Sequence, residues 1–122
     1  MNETKEIQKM IKYYVVPEDK KIIAVLQNCE WDALNKIEKM WGNFDCMMSS
    51  RKYMMKNQYR VVVKCHEDDT FDVEIGKKIA KDKLMKRYYK DFDARIQMFR
   101  NDLAKTLARV DEYIKENAAK SA

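Results

Sequence analysis

Residues 72–117 run without a proline and with a single glycine, Gly76. A stretch that long without a breaker leaves helix as the one regular structure it suits. Within it apolar residues recur at Phe92, Ile96, Phe99, Leu103, Leu107, Val110 and Ile114. Those steps of three and four lay a continuous stripe along a helix, close to a coiled-coil seam. The stripe changes phase around residues 89–93, where Asp91 or Asp93 could cap a second helix. One bent helix of about 45 residues and two of about 20 both fit, and ordinary helix lengths favour two.

The same stretch carries the charge. Residues 77–109 hold eleven basic and four acidic side chains, a net of +7, against +5 for the whole chain. A positive surface this focused attracts phosphates, acidic proteins or anionic lipid.

The first half reads as a sheet with one short helix. Residues 1–9 are polar, either frayed or briefly helical. Residues 10–16 (MIKYYVV) and 21–26 (KIIAVL) flank a Pro-Glu-Asp-Lys turn and predict a hairpin. Asn28 offers an N-cap to a helix whose Trp31, Leu34, Ile37 and Trp41 share one face, so two tryptophans are expected against the sheet, with Gly42 as the stop. Residues 43–50 read as a loop. Residues 52–55 and 59–65 predict a second hairpin, with Val61 and Val63 on one side and Arg60, Val62 and Lys64 on the other. The acidic turn at 66–70 then starts the helix, with Asp69, Thr70 or Asp72 as its cap.

Chemistry is sparse. The sole histidine, His66, adjoins Cys65, and neighbours on a strand face opposite sides, which is poor chelate geometry for zinc. Cys29, Cys46 and Cys65 lack CxxC spacing and read as reduced thiols. No glycine-rich phosphate loop or nucleophile elbow is present, so no enzyme activity, cofactor or metal is expected. Nine methionines fit gaps in a core or a subunit interface better than a binding surface. What remains is the basic, aromatic helix. Arg87, Arg95, Arg100 and Arg109 are candidates for phosphate, and Tyr88 or Tyr89 for a base. Adjacent helical residues diverge by about 100°, so one of the two tyrosines should lie beside the basic face. Asp82, Asp91, Asp93 and Asp102 interrupt the charge, which disfavours long duplex DNA and suits a pocket at a subunit junction.

Residues 52–89 contain a hairpin ending Val62-Val63-Lys64-Cys65. The acidic turn Asp69-Thr70-Phe71-Asp72 follows, then Glu74-Ile75-Gly76 opens the helix. This segment resembles a module frequent in small phage and prophage proteins of Firmicutes. The wider layout, a sheet followed by long C-terminal helices, is similar to the phage Thoeris anti-defence sponges. Those proteins bind cyclic ADP-ribose isomers at a dimer interface without cleaving them. The resemblance implies a phage protein that sequesters a cyclic nucleotide immune signal in the cytoplasm of an infected host cell. An anti-CRISPR-like inhibitor of an effector protein or nucleic acid is the alternative.

The expected fold is α+β in a single domain spanning 1–122. Two hairpins make an antiparallel sheet with a short helix over 10–71, and two long helices follow over 72–118. The stripe from Ile96 to Ile114 is too long for so small a sheet to cover, which predicts a homodimer or higher oligomer. No apolar run is long enough for a membrane span, and the first residues do not read as a signal peptide.

Overall fold

The computed structural model describes residues 3–41 and 50–121. After a short helix α1 (Glu3–Lys9), strands β1 (Lys12–Val16) and β2 (Lys21–Gln27) pair antiparallel, with Tyr14 opposite Ile23. Pro17–Asp19 make one 3-10 turn, which proline at the first position favours. Lys20 closes the turn in the left-handed region at φ 48°. This strained conformation is fastened at both ends. The Lys20 carbonyl accepts from the Cys65 N–H at 2.8 Å, and its ammonium donates to the carbonyls of Glu67 and Asp69. The first hairpin is thereby tied to the acidic turn that precedes the long helix.

The second hairpin does not form. Strand β3 (Gln58–Lys64) pairs antiparallel with β2, giving the order β1-β2-β3 with β2 central. Residues 52–55 instead fall in and after a 3-10 turn, Ser50–Tyr53. Their polar groups are satisfied elsewhere: the Met55 N–H donates to the Glu30 carbonyl, and the Tyr53 hydroxyl to Asp102.

Helix α2 (Asp32–Trp41) seats mainly on α3 and the 50–53 turn, with only Ala33 reaching the sheet cluster. Its buried line is Ala33, Leu34 and Ile37, while Trp31 and Trp41 stay 47% and 38% exposed. The expected burial of both tryptophans against the sheet is therefore not realised. Small and medium side chains let α2 approach α3 closely, and Trp41 meets Phe99 edge-on at 5.9 Å from the margin. Asn28 is not the cap of α2: it takes φ 61°, and the helix begins four residues later. Gly42 and the loop at 43–49 lie outside the described residues.

The two long helices are one. Helix α3 (Val73–Ser121) runs unbroken for 49 residues. Asp72 caps it, its Oδ1 accepting from the N–H groups of Glu74 and Ile75 at 3.0 and 3.2 Å. The phase change near residue 90 is a change of partner rather than a break. Gly76, Ala80, Leu84 and Tyr88 are buried, and steps of four advance the contact line by about 40° each around a helix. Phe92, partly buried, still packs against the sheet cluster and is the last of this line to do so. Ile96, Phe99 and Leu103 then resume contact on α2 and Tyr53. Asp91, a possible cap for a second helix, accepts the Tyr59 hydroxyl instead.

The core follows the same division. One cluster holds Ile22, Ala24, Leu26, Tyr59 and Val61 from the sheet with Ala80, Leu84 and Tyr88 from α3. A smaller one joins Leu34, Ile37, Tyr53 and Phe99. Gly76 marks the closest approach of α3 to the sheet, because a Cβ there would run into the Cδ1 of fully buried Ile22. Gly76→Val should therefore lower unfolding free energy by roughly 1–3 kcal/mol through overpacking. Urea denaturation followed by circular dichroism measures it.

Candidate functional site

Three tyrosines hold the helix layer to the rest of the chain, each sinking its ring into the core and handing its hydroxyl to an aspartate. Tyr88 donates to Asp32 Oδ2 at 2.6 Å, Tyr59 to Asp91 Oδ2 at 2.7 Å, and Tyr53 to Asp102 Oδ2 at 2.5 Å. Burial pushes all three phenols well above their ordinary range, and the aspartate each one faces pushes them further. Asp102 is held low by hydrogen bonds from Lys52 and Tyr53. Asp32 is raised by burial, opposed by its bond from Tyr88.

The six residues expected to bind a ligand do not converge within one chain. Tyr88 is fully buried and its hydroxyl is taken by Asp32. Tyr89 is half-buried, with its ring 5.0 Å from Tyr88 and 5.9 Å from Phe92. It sits at the margin of the core, so neither tyrosine stands free on the basic face. Arg95 is half-buried, its Nε donating to the Met54 carbonyl at 2.9 Å. Arg87 is exposed and donates one N–H to the Arg60 carbonyl at 3.2 Å. Arg100 and Arg109 are exposed farther along the helix. At 1.5 Å per residue, Arg87 and Arg109 lie about 33 Å apart along the axis.

What does converge is a shorter segment. Lys83, Lys86, Arg87 and Lys90 are all exposed and fall within about two turns of α3, with Arg87 at the edge nearest β3, where it reaches the Arg60 carbonyl. Among the described residues, none of the four makes an ion pair with a carboxylate. The acids that interrupt the basic run are partly committed to packing, since Asp91 and Asp102 are the acceptors for Tyr59 and Tyr53. Read on α3 alone, those two acids only break a stripe. Their use emerges once the turn at 50–53 and β3 are placed beside them.

A cleft of about 230 Å³ lies where α1, α2 and α3 meet, with Asp32 and Tyr88 lining it and Lys36 and Lys39 among its walls. It is smaller than the usual ligand pocket of several hundred Å³. Cys29, also lining it, donates its S–H to the Lys56 and Asn57 carbonyls at 3.3 Å. Burial, then Asp32, push that thiol up to about 11, so it is a poor nucleophile at neutral pH. Among the described residues no cluster of His, Cys, Asp and Glu is placed to hold a metal, and no helix is long and apolar enough to cross a membrane.

Comparison with known protein families, curated proteins and solved structures found no match.

The tyrosine pairs carry a pH signature. A phenol whose proton is held more tightly when folded contributes stability that is complete below the unfolded pKa of about 10 and falls as pH rises above it. Melting temperature should thus drop steeply between pH 9.5 and 11. Tyr59→Phe should cost about 1–2 kcal/mol at pH 7 by leaving Asp91 without its donor, and should flatten that alkaline drop. Thermal melts of both proteins across pH 7–11 check the two statements together.

Proposed function

We propose that the protein is a non-catalytic binder that captures a phosphate-bearing ligand of the cyclic-nucleotide class and keeps it intact, as a phage anti-defence sponge would. The observation that supports this reading is the basic segment of α3 at Lys83, Lys86, Arg87 and Lys90. Four exposed cations within two turns repel one another, and helical neighbours of like charge are destabilising unless an anion offsets them. Arg87 is partly oriented by its bond to the Arg60 carbonyl, which leaves further N–H groups for bidentate contact with a phosphate.

The same reading calls for more than one chain. Beyond Leu103, α3 buries nothing: Leu107, Val110, Tyr113 and Ile114 are 48–62% exposed. We place a second copy on the stripe of Leu107, Val110 and Ile114, forming a homodimer or a larger assembly. Arg100 and Arg109 of the projecting half then reach the ligand from the second chain, which a single chain cannot bring near Arg87. An anti-CRISPR-like role draws on the same stripe, with an effector protein seated there instead.

Light scattering should give a mass at least twice the 14.7 kDa of one chain, and a clean monomer rejects the assembly. Isothermal titration against cyclic ADP-ribose isomers and cyclic dinucleotides should give saturable heat with one of them, and denaturing the complex should release that ligand unaltered. The combined change Lys86→Glu, Arg87→Glu and Lys90→Glu should weaken binding at least tenfold. Absence of heat from every member of the panel sinks the proposal.

A further inference from the structure

The sheet has a second face, turned away from α3. Register places four rows of side chains on it. Gln27 and Gln58 form the first. Lys12, Val25 and Arg60 form the next, then Tyr14, Ile23 and Val62, and finally Val16, Lys21 and Lys64. Val25 on this face is buried at 7% and Ile23 half-buried, but beside them Tyr14 stands 52% exposed and Val62 43%. A one-sided antiparallel sheet ordinarily turns polar residues outward, so an outward row of Tyr, Ile and Val is a departure that asks for a partner.

The charge on this face narrows the partner. Lys12, Lys21, Arg60 and Lys64 flank the apolar row on both sides, and the three strands place no acidic residue on that face. Among the described residues only Lys21 of the four forms an ion pair, with Asp19 of the turn at 3.8 Å. A second copy is a poor occupant, because stacking two such faces brings eight cations together with only the Asp19 beside each Lys21 to offset them. The occupant must carry negative charge at two edges and a flat apolar surface between them.

We propose that this outer sheet face binds single-stranded nucleic acid. Successive outward side chains on a strand are about 7 Å apart and neighbouring strands about 5 Å, spacings that suit an extended strand of nucleotides. A base stacks on the Tyr14 ring beside Ile23 and Val62, while phosphates reach Lys12 and Arg60 on one side and Lys64 and Lys21 on the other. At the Gln27 end the face opens into a cleft of about 290 Å³ lined by Lys9, Met10, Lys12, Val25, Gln27 and Asn28. The Gln27 amide donates to Gln58 Oε1 at 3.3 Å, leaving its own oxygen and the Gln58 amide N–H groups for a base edge. A duplex presents no free base to stack, so the face selects single strands. This surface lies on the other side of the sheet from Lys83, Lys86 and Lys90, so the inference does not rest on the nucleotide reading of α3.

Fluorescence anisotropy with labelled oligo-dT and oligo-U of twelve nucleotides tests it on the full chain. Saturable binding should weaken with salt, with a log–log slope of about −2 to −3 for three or four phosphate contacts. Tyr14→Ala should weaken it roughly tenfold, Tyr14→Phe should retain it, and Arg60→Glu with Lys64→Glu should abolish it. The triple reversal Lys83→Glu, Lys86→Glu and Lys90→Glu, which leaves the Arg87 bond to the Arg60 carbonyl intact, should keep it within twofold. Since Tyr14, Arg60 and Lys64 are exposed, these variants should keep the wild-type circular dichroism spectrum. No saturable binding at 50 mM salt overturns the proposal. So does equal affinity for duplex or for polyglutamate, or indifference to Tyr14→Ala, because each reduces the face to a plain cation exchanger.

Discussion

The arrangement depends on how a very long helix is held by a small sheet, and the answer is a set of phenol-to-carboxylate hydrogen bonds. Tyr59 on β3, Tyr53 on the 50–53 turn and Tyr88 on α3 each fill core volume with a ring. Each then passes a polar tip to an aspartate on the opposing element. A ring without its acceptor would strand a buried hydroxyl, and an aspartate without its donor would be half-buried and poorly solvated. Fixed donors and acceptors also set the register of α3 along the sheet, which apolar contact alone leaves free to slide. The edge-on ring contacts of Tyr88 with Tyr59 and Tyr89, and of Tyr53 with Phe99, add directionality to the same junctions.

That anchoring ends near Asp102, and α3 continues as helix to Ser121. A free helical segment of that length is marginal in water. This one has local support in the spacing of Asp111 to Lys115 and Glu116 to Lys120, acid before base at four-residue steps. Its apolar stripe repeats every eleven residues, Phe92 with Leu103 and Ile114, Ile96 with Leu107, Phe99 with Val110. Such a period is 3.67 residues per turn, near that of a straight helix. A straight stripe can therefore leave the body of the protein and remain aligned for another surface, where a seven-residue seam would coil away.

Local patterns were legible in the sequence and choices of partner were not. The first hairpin, the alternation of β3 and the cap at the acidic turn all follow from residues close together in the chain. Residues 52–55 do not add a strand to the free edge of β3; Tyr53 is instead buried with its hydroxyl on Asp102, about fifty residues away in the chain. The drift of the contact line past Tyr88 resembles a helix end because pattern alone cannot separate a break from a handover between packing surfaces. Trp31 and Trp41, in step with Leu34 and Ile37, suggested burial, but the buried line runs through Ala33, Leu34 and Ile37 and leaves both rings at the margin. Likewise, Tyr88 and Tyr89 looked like a stacking platform beside the arginines, yet Asp32 claims the first and the ring of Tyr88 covers the second.

The two exposed apolar features differ in what can cover them, and charge is what separates them. The end of α3 carries both signs, with Arg109, Lys115 and Lys120 among Asp111, Glu112 and Glu116. A like copy can meet it without net repulsion, so self-association is the economical occupant there. The outer sheet face carries one sign only, and a like copy is the occupant it most strongly repels. A chain with both surfaces can assemble through one and keep the other open for an anionic polymer. Pairing through α3 would also place two sheet faces in one particle, so a single strand long enough to span them would gain avidity from the assembly.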